Sequence, residues 1–374
     1  MFMIMIAAAL LVVLALEFFY LRSLVGRVLA FWHLDTEQKK IKIIKYAIIL
    51  CIMGMSAPVF TMVGLGTLHV VAIGAIIDLI CLLIRLIIRK KPKFLNIISS
   101  CGIIPLVLGV SIIIYGYINM HNVVKTEYTV ETQKELERDY TVAFVSDVHM
   151  GVSLGIEELE AVAKEISACY PDILLLGGDI VDESTTYEEM EKVFKAFGNV
   201  ETTFGIYFVY GNHDEQNYSS SAEYTTAQLE NAITKAGIQI LKDEAIEINN
   251  DIVLVGRLDA SFKGDKKKSE RDGVEALTKS IDKNKLILLL DHQPREYESD
   301  KKAGVDLVIS GHTHGGQIWP GGLLTTLIAP NELNYGHIQD GSFQAIVSSG
   351  IAGWGFPIKT SKYAEYLIVT ICEK

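Results

Sequence analysis

Apolar residues run almost unbroken through the first third of the chain, then give way near residue 120 to short apolar runs separated by amphipathic stretches. Four early runs, about Phe2–Tyr20, Ile43–Thr61, Gly66–Ile88 and Asn96–Met120, are long enough to span a bilayer, which takes roughly 20 residues of helix. No basic region precedes the first run, no small-residue cleavage site ends it, and further spans follow, so it reads as a retained helix and not a signal peptide. The third run contains His69 and Asp78. An ionisable group inside a span is read as functional or paired, and Arg85 lies two turns beyond Asp78.

Residues 121–140 form a polar connector, with an edge strand expected around Tyr128–Val130. From Thr141 the pattern alternates between strands and amphipathic helices: strand Thr141–Ser146, helix Ile156–Cys169, strand Ile173–Gly177, helix Tyr187–Phe197, strand Gly205–Tyr210 and helix Ala222–Ala236. The later apolar runs, Ala245–Asn249, Ile252–Gly256, Lys285–Leu290, Leu307–Ser310, Phe343–Ser348 and Tyr366–Cys372, come with fewer helices between them. The pattern predicts an α/β fold, a two-sheet sandwich with flanking helices over 141–374, preceded by a four-helix transmembrane region over 1–120. Lys263–Gly273, crowded with charge, reads as a solvated loop.

Charge adds an orientation. Arg22, Arg27, Lys39, Lys40, Lys42 and Lys45 separate the first two spans, and Arg85, Arg89, Lys90, Lys91 and Lys93 the last two. Both loops are therefore expected in the cytoplasm, which makes this a multi-pass cell-membrane protein with everything after Met120 extracytoplasmic. Of the 34 Lys/Arg and 45 Asp/Glu, residues 1–125 hold 12 and 4, so the exported part is strongly acidic. Such a field repels a polyanion and excludes nucleic acid as substrate or partner. The basic residues near the membrane suit anionic head groups. Cys169 and Cys372, the two cysteines beyond the spans, make no disulfide framework and are expected as separate thiols.

Five clusters carry the chemistry: Asp147–Val148–His149, Gly178–Asp179, Gly211–Asn212–His213–Asp214, His292, and Gly311–His312–Thr313–His314. Each follows the carboxyl end of an expected strand, where open α/β sheets gather their sites. Carboxylate, amide and imidazole donors together suit two divalent cations. In this order the clusters resemble the motifs of the calcineurin-like metallophosphoesterase family, Asp-x-His, Gly-Asp, Gly-Asn-His-(Asp/Glu), His and Gly-His-x-His. The match runs from about Thr141 to the C-terminus, and the Gly311–Gln317 stretch resembles the membrane-anchored branch with several N-terminal helices.

The resemblance implies one cation held by Asp147, His149, Asp179 and His314 and a second by Asp179, Asn212, His292 and His312, with Asp179 bridging. Manganese comes first as the metal, ahead of zinc or iron. A cation pair lowers the pKa of water and stabilises charge on phosphorus, so no protein nucleophile is needed. His213 is then the general acid for the leaving group, oriented by Asp182, with Asp214 the rival for that role. Glu183 stands where the family's protein phosphatases have Arg, which disfavours a phosphoserine substrate. Lys359 stands where the branch often has Arg. The Gly-rich Ser348–Pro357 stretch, with Trp354 and Phe356, is a candidate wall for a leaving group; it lacks the spacing and lysine of a P-loop. The implied function is hydrolysis of phosphodiesters or pyrophosphates, with envelope or lipid-linked molecules as substrates. The alternatives are a phosphomonoesterase and a non-enzymatic membrane sensor or binding module on the same fold.

Overall fold

Alternation along each strand decides which face it buries. In strand β2, Val142 and Phe144 point to one apolar layer while Ala143 and Val145 point to another. The computed structural model describes residues 2–58, 61–90, 92–262, 271–319 and 331–374, with the backbone alone for 2–13. The chain divides into two compact units, Met1–Tyr115 and Gly116–Lys374.

In the second unit, one sheet contains β1 (Val124–Thr132), β2 (Tyr140–Val145), β3 (Ile173–Leu176), β4 (Ile206–Phe208) and β5 (Gln239–Ile240). The other contains β6 (Glu244–Glu247), β7 (Ile252–Gly256), β8 (Leu286–Leu290), β9 (Leu307–Ser310), β10 (Gly336–Asp340) and β11 (Phe343–Val347). The last strand, β12 (Glu365–Glu373), returns to the first sheet, giving the orders β1-β12-β2-β3-β4-β5 and β10-β11-β9-β8-β7-β6. Residues from both sheets, among them Phe144, Leu175, Leu288, Ile309 and Val369, form the apolar layer between them. Helices α6 (Ile156–Ser167), α7 (Tyr187–Gly198) and α8 (Thr226–Lys235) cover the outer face of the first sheet. Shorter helices, α9 (Val274–Thr278) and α10 (Tyr297–Lys302), cover the second. This is the expected two-sheet α/β sandwich. β2, β3 and β4 are parallel neighbours, as are β7, β8 and β9, so the loops at their carboxyl ends rise on the same side of each sheet.

The expected edge strand exists and is longer, pairing in parallel with β12 along its whole length. The pattern missed β10, whose polar Gly336–Asp340 pairs, among the described residues, with β11 alone and is mostly exposed. Most of the loop expected over Lys263–Gly273 lies outside the described residues.

The first unit is helical: α1 (Phe2–Phe31), α2 (Lys39–Ser56), α3 (Met62–Ile88), α4 (Lys93–Ser100) and the start of α5 (Ile103–Met120). Among the described residues, α3 and α5 are long and apolar enough to cross a membrane. α2 has Lys39, Lys40, Lys42 and Lys45 in its first two turns, and the second expected span also takes in residues 59–60, outside the described set. The fourth expected span is not one helix. It breaks at Gly102, whose φ of +72° is left-handed and where a Cβ would come within 2.9 Å of Val28. Pro105 follows in the first turn of α5, where its missing N–H costs no hydrogen bond.

Arg85 is not the partner of Asp78. Asp78 pairs with Arg27 and accepts from the Tyr20 hydroxyl at 3.1 Å. Arg85 instead donates to Asn96 at 3.0 Å and Ser99 at 3.3 Å. The spacing along α3 suggested a local pair, but α1 supplies the nearer cation.

Candidate metal centre

Each expected ligand lies just past a strand end: Asp147 and His149 after β2, Asp179 after β3, Asn212 after β4, His292 after β8, and His312 and His314 after β9. These turns must fold the chain back sharply. Asp147, His149, Asp179, His312 and His314 all adopt positive φ, between 44° and 71°. Non-glycine residues pay of order 1–3 kcal/mol for such conformations, and they persist only where surrounding bonds over-determine them. Those bonds are present. The amides of Val148 and His149 donate to Asp179 O at 2.8 and 3.1 Å, and Gly311 N donates to His292 O at 3.0 Å. Two glycines permit the close approach: a Cβ on Gly211 would lie 2.2 Å from Asp179 Oδ1, and one on Gly311 would lie 2.3 Å from Asp147 Oδ2.

The structure brings the side chains together as two groups. Donor atoms of Asp147, His149 and His314 lie within 4.8 Å of one another, as do those of Asp179, His292 and His312. Asp179 Oδ2 stands between the groups, 3.8 Å from His149 Nε2 and 3.1 Å from His292 Nε2. The imidazoles are turned the same way. Nδ1 of His149 faces Asp182 Oδ2 at 3.2 Å, that of His292 faces Gly177 O at 2.8 Å, and that of His314 faces Ala352 O at 3.3 Å. Each acceptor is an oxygen, so each Nδ1 carries the proton and leaves the Nε2 lone pair free.

Whether these residues suit metal ions is decided by their unmet valence. His149 Nε2, His292 Nε2 and Asn212 Oδ1 are buried and have no hydrogen-bond partner. Orphaned polar atoms are rare in protein interiors because each costs about 1–3 kcal/mol. The two imidazole nitrogens converge on Asp147 and Asp179, both fully buried, and the Asn212 oxygen is unmet on the loop after β4; as a donor set they fit a pair of divalent cations. Burial lowers His312 to about 4 and His314 to about 3, which keeps both neutral and able to ligate.

The partner of His213, the expected general acid, differs from expectation. His213 Nδ1 lies 2.7 Å from Glu183 Oε2. Asp182 instead faces His149 and accepts from Ser184 N and Oγ at 2.8 and 2.6 Å. The rival, Asp214, is a backbone clamp that accepts amide N–H groups from Asp179, Ile180, Val181 and Gly211 at 2.6–3.2 Å. Glu183 also accepts from Tyr218 N at 3.2 Å. Burial would lower His213, yet the Glu183 bond and the nearby Asp179 raise it above the ordinary imidazole range. In sequence the resemblance pointed to Asp182, with Asp214 as rival, and passed over Glu183, because the choice depends on how tightly the 179–185 turn winds.

The Tyr218 and Trp354 rings lie 5.0 and 5.4 Å from the His213 ring, so the Gly-rich stretch does reach the site. Lys359 does not face a substrate. It is fully buried, bonded through Nζ to the Ser349 carbonyl and to those of Gly350 and Ala352 at 2.8 and 3.2 Å, and burial lowers it to about 7. It therefore holds the loop whose amides at Ile351 and Ala352 donate to Ser146 O and Asp147 O, both at 3.0 Å.

Residues 140–316 match the family model described as calcineurin-like phosphoesterase. An uncharacterized metallophosphoesterase of Aquifex aeolicus is 30% identical over 260 residues, 69% of this chain and 95% of that protein. One from Helicobacter pylori J99 is 30% identical over 241 residues, 64% of this chain, and the match spans only 62% of that protein's own length. A transmembrane protein with metallophosphoesterase domain from Danio rerio is 24% identical over 277 residues, 70% of this chain and 61% of that protein. With the strand-end clusters in place and a relative matched over nearly its whole length, the chain belongs to the calcineurin-like phosphoesterase family.

Proposed function

We propose that the chain is a membrane-anchored, dinuclear-metal phosphoesterase acting on phosphodiester or pyrophosphate bonds of envelope or lipid-linked molecules. The observation that carries the reading is the Asp179 carboxylate between two buried, unpartnered imidazole nitrogens. Asp147, His149, Asp179 and His314 would hold one cation, and Asp179, Asn212, His292 and His312 the other. Manganese is the first candidate. When bound, such a pair supplies Lewis-acid neutralisation of phosphate charge and an acidified water.

The chain's own residues do the rest. Nδ1 bonds fix the tautomers of His149, His292 and His314. Glu183 holds His213 so that its Nε2 proton is aimed into the site, where it protonates the departing oxygen. Trp354 and Tyr218 flank that proton and shape the space for the leaving group. Residues 1–120 anchor the 141–374 domain, with 121–140 adding β1 to its first sheet. Four spans with both basic loops in the cytoplasm put the domain outside, and a Danio rerio relative that is itself a transmembrane protein with metallophosphoesterase domain supports such an anchor. The test is a panel of chromogenic mono- and diesters incubated with the purified full chain and manganese, zinc, iron or magnesium. Metal-dependent turnover, faster on diesters and lost in Asp179→Ala, is expected. No turnover with any metal would reject the enzymatic reading.

A further inference from the structure

The last turn of α5 belongs to the same compact unit as the two sheets, and it is fastened to the segment behind the metal centre. Asn119 Nδ2 donates to the carbonyls of Lys359 and Lys362, each at 2.8 Å, and Lys359 N donates to Gly116 O at 3.0 Å. Gly116 lies so close to Thr360 that a Cβ would come within 2.7 Å of its methyl, and a Cβ on Gly353 would come within 2.6 Å of the Met120 methyl. Gly353 directly follows Ala352, whose carbonyl faces His314 Nδ1. The end of an apolar, membrane-length helix and a candidate metal ligand are thus separated by a single thickness of loop.

Exposed aromatics lie beside these contact residues. Trp354 follows Gly353, Tyr363 follows Lys362, and the Trp319 amide donates to Thr360 Oγ1 at 2.9 Å. Each is therefore adjacent to a residue that touches the α5 end, and each is exposed, by 43%, 56% and 55% respectively. Tyr117, in that last turn, is exposed as well. Solvent-facing Trp and Tyr around the end of a span mark the membrane–water boundary, where their amphipathic rings are most stable. The headgroup layer there is only about 5–8 Å deep on each side.

We infer that the metal pair works at headgroup depth of the bilayer crossed by α5, on phosphoesters of amphiphiles resident in that bilayer. The inference rests on the phosphoesterase reading and adds where the scissile group must lie. An amphiphile keeps its phosphate in the headgroup layer and needs no extraction, while its apolar part stays among the lipids beside Trp319 and Tyr363.

The experiment uses the manganese-loaded full chain in phosphatidylcholine nanodiscs with two nitrophenyl phosphodiesters, one on a dialkylglycerol and one on a methyl group. Turnover of the embedded ester is expected to exceed that of the soluble one by about 10²-fold in kcat/KM, the scale of gain from confinement. The Trp319→Ser/Tyr363→Ser double variant should lose most of that preference and keep its rate on the methyl ester. Separately, in Trp32→Phe protein, lipids spin-labelled near the headgroup should quench tryptophan fluorescence more than lipids labelled at the acyl terminus. Equal rates on the two esters, or no quenching from either label, overturn the inference while leaving the phosphoesterase reading intact. Hydrolysis of neither ester rejects that reading and the substrate class with it.

Discussion

His213 and Glu183 form a bonded pair, Nδ1 to Oε2 at 2.7 Å, while the neighbouring Asp182 is committed to His149 at 3.2 Å. Two adjacent carboxylates thus serve two different imidazoles, and their replacements should separate. Glu183→Gln should lower kcat on a poor leaving group by about 10–10²-fold with metal content unchanged, a fraction of what a positioned acid supplies. Asp182→Asn should weaken metal binding by about 10–100-fold, as removal of a ligand's hydrogen-bond partner does. Kinetics paired with elemental analysis distinguishes the two; metal loss in Glu183→Gln would contradict the assignment.

Asp214 has no free acceptor to offer the reaction. Four amides converge on its two oxygens, and an Asn there would turn an NH₂ toward donors that need an acceptor. Asp214→Asn should therefore destabilise the domain by about 3 kcal/mol or more, read as a lowered urea midpoint even in excess metal. Unchanged stability with lost activity would return Asp214 to a catalytic role.

Cation binding should be visible in stability without any turnover. A metal at 100 times its Kd adds about 2.7 kcal/mol per site, so chelation should lower Tm and manganese should restore it. Asp179→Ala should abolish the response. His314→Ala should retain part of it through the group around His292.

Away from the metals, Asp172 accepts from Arg138 at 2.5 and 3.0 Å and from Thr141 N at 2.9 Å. Burial would raise its pKa, but these bonds outweigh burial and hold it below the ordinary value. A carboxylate depressed on folding adds stability that is present above its unfolded pKa, about 4, and lost as pH falls through the lower folded value. Arg138→Ala should cost about 0.5–1 kcal/mol near neutrality, since the guanidinium is half exposed and screened by solvent, and the difference from wild type should shrink on acidification below about pH 4. A pH-independent difference would remove the ion pair as its cause.

The membrane arrangement has its own test. Reporters fused at Lys90 and at Lys125 should report opposite sides, with Lys125 outside, because the basic residues between the first two expected spans and between the last two favour retention in the cytoplasm. A reporter that works only in the cytoplasm and is active after Lys125 would reverse the orientation and leave the chemistry untouched.

The strand pattern and the ligand motifs were legible because both are local. A buried parallel strand such as Ile173–Leu176 needs an apolar run, and a ligand such as Asp179 needs only to follow it. What depended on tertiary geometry was not legible. Glu183 becomes the partner of His213 because the turn after Asp179 presents residue 183 to one imidazole and residue 182 to another. Lys359 stands where the branch often has Arg, and only the folded chain shows its ammonium enclosed by the Ser349, Gly350 and Ala352 carbonyls. Asp78 found its cation on α1, which no spacing within α3 could reveal. β10, polar and held by one neighbour, has neither the alternation nor the apolar content that marks a strand.

The placement of β12 between β1 and β2 bears on how the domain is made. β12 joins the strand that follows α5 in sequence, Val124–Thr132, to the first strand of the α/β series, yet it is the last of them to be synthesised. Until Glu365–Glu373 arrives, β1 has no sheet partner and β2 lacks one of its two. Pairings this distant in sequence are slow to form, so β2 stays an unpaired edge and β1 stays detached through most of synthesis. The nascent chain must be protected from wrong pairing along exposed strand edges for as long. A chain shortened by its last strand should then be recovered as an aggregate or a proteolytic fragment, and not as a domain with one loose end.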